Sequence, residues 1–313
     1  MKFPSQARLA TCAILSLLAL SCRSASTRAN ALDPDREIKP IGALVEATKK
    51  PESIGKFLAD VDDAMKAWNN LNLAAQSKQE QARARDLELH LQTITHQRRD
   101  EIIHELEAGP LNNRIVAASA LGFTRDGEAQ GPLIAALSDP HEEVSASALL
   151  GLWLLQRADT PIEKVCPFLS AGREDRTRSN AALLLAWLTA HDASGDCELP
   201  AARMGLLDKS PTVRTHCALV LANRLDSESL QALLDRLDDE TVLVCGAAAR
   251  AVAHIGKHVP QAKGQAARGL VKAWIEATED SRKAVIFPAQ VDLAQSNYGS
   301  DEKEWIRWAE RLP

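Results

Sequence analysis

Residues 213–221 have the sequence Val-Arg-Thr-His-Cys-Ala-Leu-Val-Leu, and this arrangement recurs along the middle of the chain. Five segments align on one anchor position, 31, 33, 36 and 31 residues apart: Asn113, Val144, Thr177, Val213 and Val244. Four places after each anchor stands a small residue: Ala117, Ala148, Ala181, Cys217 and Ala248. Eight places after it stands an aliphatic residue: Leu121, Leu152, Leu185, Leu221 and Val252. Spacings of four and eight predict a helix with a narrow apolar face, and self-similarity at this period is typical of a solenoid.

A second apolar pattern precedes the anchors. Its members stand 11, 10 and 7 places before an anchor: Ile102, Ile103 and Leu106; Leu133, Ile134 and Leu137; Leu233, Leu234 and Leu237. Between the two patterns, five places before an anchor, lies an acidic residue suited to a turn: Asp139, Asp208 and Asp239. Each repeat is therefore predicted to be two helices joined by a short turn, and the units bury their apolar faces only against their neighbours.

The segment from Asp208 to Ala218 resembles a HEAT repeat, which has an Asp in the turn and a Val-Arg pair, here Val213-Arg214, at the start of the second helix. The short period is similar to the compact HEAT-like repeats of bacterial proteins, including phycobilin lyases. The resemblance implies an all-α fold, a right-handed α-solenoid of HEAT-like (armadillo-like) helical hairpins with helical caps at both ends. Tetratricopeptide and ankyrin arrays have similar periods and remain alternatives. Arginine fills the slot after the anchor in only three of the five repeats, so the Asp–Arg ladder is expected to be incomplete.

The N-terminus has the layout of an export signal. Two cations, Lys2 and Arg8, precede a twelve-residue apolar run that is too short to span a bilayer comfortably. The run ends in Ala19-Leu20-Ser21-Cys22, which resembles the lipobox of bacterial lipoproteins. The resemblance implies cleavage before Cys22, lipid attachment to it and, because Arg23 follows, location at the outer membrane facing the periplasm. The alternative is an ordinary signal cut at residues 29–31, giving a soluble periplasmic or secreted protein.

The remaining patterns complete the domain organisation. Residues 53–108 are expected to be helical, with a break in the polar stretch 76–81 and one long helix over 85–106. A capping box is expected at Thr160-Pro161-Ile162-Glu163, and Trp305 and Trp308 should seal a terminal helix. The predicted divisions are a signal peptide (1–21), a lipidated Cys with a flexible tether (22–52), a helical segment (53–84), the repeats (85–258) and a C-terminal helical cap (259–313).

The sequence has few candidates for chemistry. Cys166 and Cys217 are expected to be buried, and the pairs Cys166–Cys197 or Cys217–Cys245 could form disulfides after export. His254 and His258 are spaced for one helix face but lack a third ligand, which favours a solvent-facing pair at a helix end over a metal site. No Gly-x-Ser-x-Gly, phosphate loop or Cys-x-x-Cys is present, so no catalytic residue, metal or cofactor is assigned.

These patterns predict a non-enzymatic scaffold. The net charge of −5 would become −7 after removal of residues 1–21, which argues against a nucleic-acid partner. We expect a lipid-anchored protein that binds a protein partner, with no small-molecule substrate evident, through exposed residues of the second helices. Candidates for that face are Arg178, His216 and Arg214; pairing within the molecule along the ladder is the alternative for these residues and is the favoured role for Arg214. A secreted HEAT-like enzyme or enzyme accessory, for instance a lyase, is the alternative function, and a purely structural envelope protein is a third.

Overall fold

A computed structural model of the chain describes residues 52–74 and 77–313. They fall into two compact units, one ending at Thr124 and one beginning at Arg125. Over the described ranges the regular structure consists of α-helices and short 3-10 helices, with no strand. The predicted signal peptide, the tether and Cys22 lie outside the described residues.

The first unit contains helices α1 (Ile54–Ala74), α2 (Lys78–Gln97), α3 (Arg99–Ala108) and α4 (Leu111–Phe123). Helix α2 begins in the polar stretch expected to hold a break, at a capping box in which the Glu80 N–H donates to Ser77 Oγ at 3.1 Å and the Ser77 N–H donates to Glu80 Oε2 at 2.9 Å. The core of this unit includes Leu58, Val61 and an edge-to-face contact between Trp68 and Phe123, whose ring centroids are 5.1 Å apart.

The single helix predicted over 85–106 is wrong, because the chain leaves helical geometry at Arg98 and divides the segment into α2 and α3. The Arg98 side chain holds this break in two ways. Its guanidinium lies 4.4 Å from the centre of the Phe57 ring, and its Nε donates to Glu101 Oε1 at 2.9 Å. These contacts with Phe57 and Glu101 are made by a polar side chain, so the spacing of apolar residues does not predict the break at Arg98.

The second unit is an α-solenoid of helical hairpins closed by a terminal helix. Its helices are α5 (Gln130–Ala136), α6 (Glu142–Leu155), α7 (Asp175–Ala190), α8 (Glu198–Gly205), α9 (Pro211–Asn223), α10 (Leu230–Asp235), α11 (Val242–His258), α12 (Lys263–Glu276), α13 (Asp280–Ala294) and α14 (Glu302–Glu310). The second helices α6, α7, α9, α11 and α13 pack each against the next and form what we call the second-helix layer. Helices α5, α8, α10 and α12 each pack on the second helix that follows them, and together they form the first-helix layer.

The packing slots predicted from the repeat are confirmed. Ala148, Ala181, Cys217 and Ala248 have no exposed surface. The contact within a hairpin is equally close, because a Cβ added to Gly205 of α8 would overlap Cys217 Sγ of α9. Small residues at these points let the helix backbones approach closely, so larger side chains there would prevent the helices of the solenoid from packing.

The third repeat departs from the two-helix pattern. Its first helix is replaced by 3-10 turns at Ile162–Lys164 and Cys166–Leu169, and the expected capping box is wrong. Thr160 Oγ1 instead donates to the Arg157 carbonyl at 2.8 Å, closing the turn after α6, and no side chain caps the 3-10 turn that begins at Ile162. Proline at 167, which has no N–H to donate, further disfavours a regular helix in this segment.

A disulfide joins this irregular segment to the next repeat. It links Cys166 to Cys197, with Cα atoms 6.1 Å apart, and is one of the two pairings that the sequence left open. Cys217 and Cys245 are free and buried. Cys166 is thus buried as expected. The sequence pattern places it on the apolar stripe of a helix, but it lies in a 3-10 turn and forms a cross-link.

The repeat geometry continues beyond α11 into the hairpin of α12 and α13. Leu270, Val271 and Trp274 are buried and stand 11, 10 and 7 places before Ser281, the offsets found in earlier repeats. Helix α14 then packs on α12, and both of its Trp side chains are buried, as predicted. Trp305 Nε1 donates to the Gly299 carbonyl at 2.9 Å, which satisfies the one polar group of that side chain.

Candidate functional site

Two arginines that the sequence offered as candidates for an exposed face, Arg178 and Arg214, are buried ion-pair partners that join successive repeats. The Arg178 guanidinium donates to both carboxylate oxygens of Asp208, at 2.7 and 2.9 Å, and the Arg178 side chain is 1% exposed. Arg214 makes the same two-point contact with Asp239, at 2.9 and 2.8 Å. Each arginine therefore pairs with the turn Asp of the following repeat, so the exposed role predicted for Arg178 is wrong and the internal pairing favoured for Arg214 is confirmed.

The electrostatics of these ties are those of structural ion pairs. Burial opposes ionisation of Asp208, but hydrogen bonds from Arg178 and the Ser210 N–H outweigh it and hold the pKa of that carboxyl below its usual range. The hydrogen bonds that Arg214 donates to Asp239 likewise raise the pKa of Arg214. The ladder is completed by Arg282 of α13, whose Nη1 donates to the carbonyls of Leu237 and Asp239 at 3.0 and 2.8 Å.

His216, the third residue expected on the exposed face, is also buried. It is 1% exposed on α9, and neither ring nitrogen has a hydrogen-bond partner. Burial lowers the pKa of His216 to about 4, although the Thr212 backbone opposes the shift. The imidazole is therefore neutral near pH 7 and acts as a packing group.

The described cysteines do not form a reactive thiol site. Burial raises the pKa of the Cys217 thiol and that of the Cys245 thiol, and both disfavour the thiolate that acts as nucleophile. Within residues 52–74 and 77–313, no cluster of three or more His, Cys, Asp or Glu side chains is arranged to hold a metal ion.

His254 and His258 form the solvent-facing pair predicted at the end of α11. Their ring centroids are 4.3 Å apart, and His258 Nδ1 lies 2.9 Å from the His254 carbonyl oxygen.

The exposed face of the second-helix layer carries a different set of residues from those predicted. Its members stand six or ten places after the anchors of successive repeats: Leu150, Trp187, Leu219, Arg250 and His254. Leu150, Trp187 and Leu219 are half-buried, whereas Arg250 and His254 are exposed. We call these five residues the layer face. The repeat register could have located them, because the slots between packing positions must point away from the core.

The first-helix layer carries a groove of mixed charge. It has a volume of about 700 Å³ between α10 and α12, and its lining includes Asp235, Arg268 and Lys272. Two large apolar side chains, Met204 and Leu207, are exposed on the same layer. None of the described helices is both long enough and apolar enough to cross a membrane.

Comparisons with known proteins define the fold and nothing finer. No protein-family model matches the sequence, and no curated protein matches it. An engineered protein of known structure is similar over 82% of this chain and 80% of its own, with 16% identity and a TM-score of 0.50. A designed armadillo repeat protein matches over 62% of this chain and 98% of its own, with 18% identity and a TM-score of 0.48. The CpcE–CpcF complex of phycocyanin lyase from Nostoc sp. matches over 90% of this chain and 100% of its own, with 17% identity and a TM-score of 0.39.

The chain is thus a helical repeat protein with an all-α solenoid fold. The similarity to the engineered structure supports this class, and the stacked hairpins of residues 125–313 show it directly.

Proposed function

We propose that the chain is a non-enzymatic, lipid-anchored HEAT-like repeat protein that binds a protein partner in the bacterial cell envelope. The observation that carries the proposal is the layer face, where partly exposed Trp187 and Leu219 and exposed Arg250 lie on three successive packed helices. Exposed aromatic, aliphatic and arginine side chains are the residue types that dominate protein interfaces. The free described thiols are buried, which supports a role other than nucleophilic catalysis.

Export is supported by the Cys166–Cys197 disulfide. Disulfides persist in the periplasm and outside the cell, whereas cytosolic thiols are kept reduced. The apolar run before Cys22 would direct that export, and a multiply acylated Cys22 would hold the protein at the outer membrane.

The lipid anchor is tested by Cys22→Ser, with Cys12→Ser as the matched control. We expect the wild type and Cys12→Ser to incorporate labelled palmitate and to sediment with outer membranes. Cys22→Ser should lose the label and the mass of the lipid, because its hydroxyl cannot form the thioether. A Cys22→Ser protein that keeps both the label and its membrane location would exclude the anchor.

Partner binding is tested by chemical cross-linking in intact cells followed by purification from membranes. We expect one or a few discrete cross-linked species that contain this chain and a second protein. If cross-linking yields only the monomer, the scaffold proposal is wrong. A chromophore or other cofactor covalently attached to the purified protein would instead favour an enzyme or enzyme accessory.

A further inference from the structure

We propose that Arg250 and His254 of α11, together with Leu219 and Trp187, form a docking site for an acidic segment of a partner protein. The inference rests on the proposed scaffold function and names the surface and the chemistry of its partner. The site is the part of the layer face contributed by three consecutive second helices, α7, α9 and α11.

Arg250 lacks the hydrogen-bond partners that other arginines on the second helices of this unit have. Arg178, Arg214 and Arg282 are each satisfied by carboxylates or carbonyls. The Arg250 guanidinium has no hydrogen bond or ion pair with any described residue, and the only influence on its pKa is desolvation, which lowers it.

The surroundings of Arg250 explain this desolvation. Its Nη1 lies 3.5 Å from the position that a Cβ on Gly246 would occupy, and the Val285 side chain of α13 is adjacent to the same point. The charge is therefore held against helix backbone and aliphatic surface while the residue still reaches solvent. A carboxylate arriving from outside would supply two charge-assisted hydrogen bonds to a guanidinium that has already lost part of its hydration.

His254 adds a second hydrogen-bond donor to the site along α11, and burial lowers the pKa of its imidazole, so the ring is mainly neutral near pH 7. It stands four residues after Arg250, which places it about 6 Å further along the same helix face. Lys257 is not part of the site, because its Nζ is bonded to Asp292 at 2.7 Å. Two groups able to donate to anions are thus presented at a spacing that suits successive acidic side chains of one peptide segment.

The apolar part of the site lies on the neighbouring helices. Leu219 occupies on α9 the slot that Arg250 occupies on α11, and Trp187 occupies on α7 the slot of His254. The Trp187 ring stacks on His191 with centroids 4.1 Å apart, which fixes its orientation. Adjacent packed helices are about 8–10 Å apart, so a segment crossing the layer would meet first Arg250 and His254 and then the apolar side chains within a few residues.

The charge balance favours a protein segment over a nucleic acid. The chain has a net charge of −5, and the site contains one permanent cation with one titratable neighbour. The polyanionic backbone of a nucleic acid needs many cationic contacts to neutralise it, whereas one or two carboxylates of a protein segment need only Arg250 and His254.

The test uses a fluorescein-labelled 15-residue peptide in which Glu recurs every fourth position with Leu between the acidic positions. The matched peptide has Gln in place of Glu. Binding to the purified protein is measured by fluorescence anisotropy at low and high salt.

We expect Arg250→Gln to weaken binding of the Glu peptide about tenfold or more, because one desolvated charge pair is lost. Lys272→Gln, which removes one charge from the first-helix layer, should bind like the wild type. Circular dichroism and thermal unfolding verify that both variants are folded, and Arg250→Lys tests whether the planar guanidinium is needed.

Each other outcome counts against the site. Equal binding by the wild type and Arg250→Gln, or no preference for the Glu peptide over the Gln peptide, overturns it. Tighter binding of a 15-nucleotide single strand than of the Glu peptide would indicate a nucleic-acid surface instead. In cells, a partner that still cross-links to Arg250→Gln as it does to the wild type would contradict the site while leaving the scaffold function intact. Complete absence of a cross-linked partner for the wild type would refute the scaffold function itself.

Discussion

Burial decides what each polar side chain of this protein does. Arg178 and Arg214 are enclosed and satisfied by carboxylates, so they join repeats. Removing one partner of such a pair leaves the other charge buried and uncompensated, which is far more costly than losing an exposed ion pair. Arg250 carries the same functional group but reaches solvent without a partner, and that difference is the basis for assigning it to binding.

His216 predicts how stability depends on pH. Its pKa of about 4 in the folded protein is below the ordinary value of 6.5 because burial disfavours the imidazolium. Below pH 6.5 the unfolded chain therefore binds more protons than the folded chain, and this group destabilises the fold as the pH falls from about 6.5 to 4. The total loss should be about 3 kcal/mol. Urea unfolding followed by circular dichroism between pH 7 and pH 4.5 measures it.

The variant His216→Leu should remove this contribution, so that its unfolding free energy changes less than that of the wild type over the same pH range. His258→Leu, at an exposed position, is the control and should keep the wild-type dependence. If His216→Leu and the wild type lose the same stability between pH 7 and pH 4.5, the buried imidazole is not responsible.

The ends of the helices share a backbone feature that the repeat pattern does not indicate. A left-handed residue follows several second helices of residues 125–313, and each of these is a residue other than glycine: Gln156, Asp192, Leu225 and Gln295. Side chains with a Cβ disfavour this conformation, which is why glycine is common at this position. The chain thus turns sharply into the next hairpin at some cost in backbone strain.

Replacing Gln156, which is exposed and has φ 56° and ψ 48°, by Gly should therefore stabilise the protein by about 1 kcal/mol. The expected result is a higher unfolding temperature. Gln265→Gly is the matched control at an exposed position inside α12, where glycine should lower stability by about 1 kcal/mol. A Gln156→Gly variant that unfolds at or below the wild-type temperature would show that the left-handed turn is not strained.

At the scale of the whole molecule, the solenoid depends on contacts between neighbouring second helices. Each repeat buries its apolar surface only against adjacent repeats, so a single defect interrupts the stack. The Cys166–Cys197 cross-link lies in the repeat where the first helix is replaced by 3-10 turns, and it closes a loop of 31 residues. A covalent tie of this kind restricts the unfolded chain in the region with the least regular packing.

Ala181→Glu should disrupt the solenoid. Residue 181 is fully buried in α7, and a carboxylate there would be both too large and without a partner. We expect loss of cooperative thermal unfolding and increased proteolysis. The exposed Ala284→Glu in α13 should behave like the wild type. A well-folded Ala181→Glu protein would contradict the role of this slot.

Periodicity alone was sufficient to predict the class of fold. Small residues at the anchor-plus-four slot and aliphatic residues at the anchor-plus-eight slot define a helix face, and Ala148, Ala181 and Ala248 occupy it as predicted. Such inference works because helix geometry converts sequence spacing directly into spatial spacing. The anchor pattern does not extend to the last hairpin, because Val285 stands where the five repeats have a small residue and Ala289 where they have a larger aliphatic one, although Leu270 and Trp274 keep the register.

Tertiary structure decided the role of the polar residues. Arg178 and Arg214 stand directly after an anchor, whereas Arg250 stands six places after one. The register therefore separates the two kinds of position, but it does not show whether a carboxylate meets each guanidinium. The outcome depends on which carboxylate or carbonyl of another repeat reaches the guanidinium, and that is a property of long-range packing. The same holds for Cys166 and Cys197, which the chain brings together only because the irregular third repeat folds against the next. Local spacing therefore determined the helices, and contacts between distant residues determined which side chains remain free to bind.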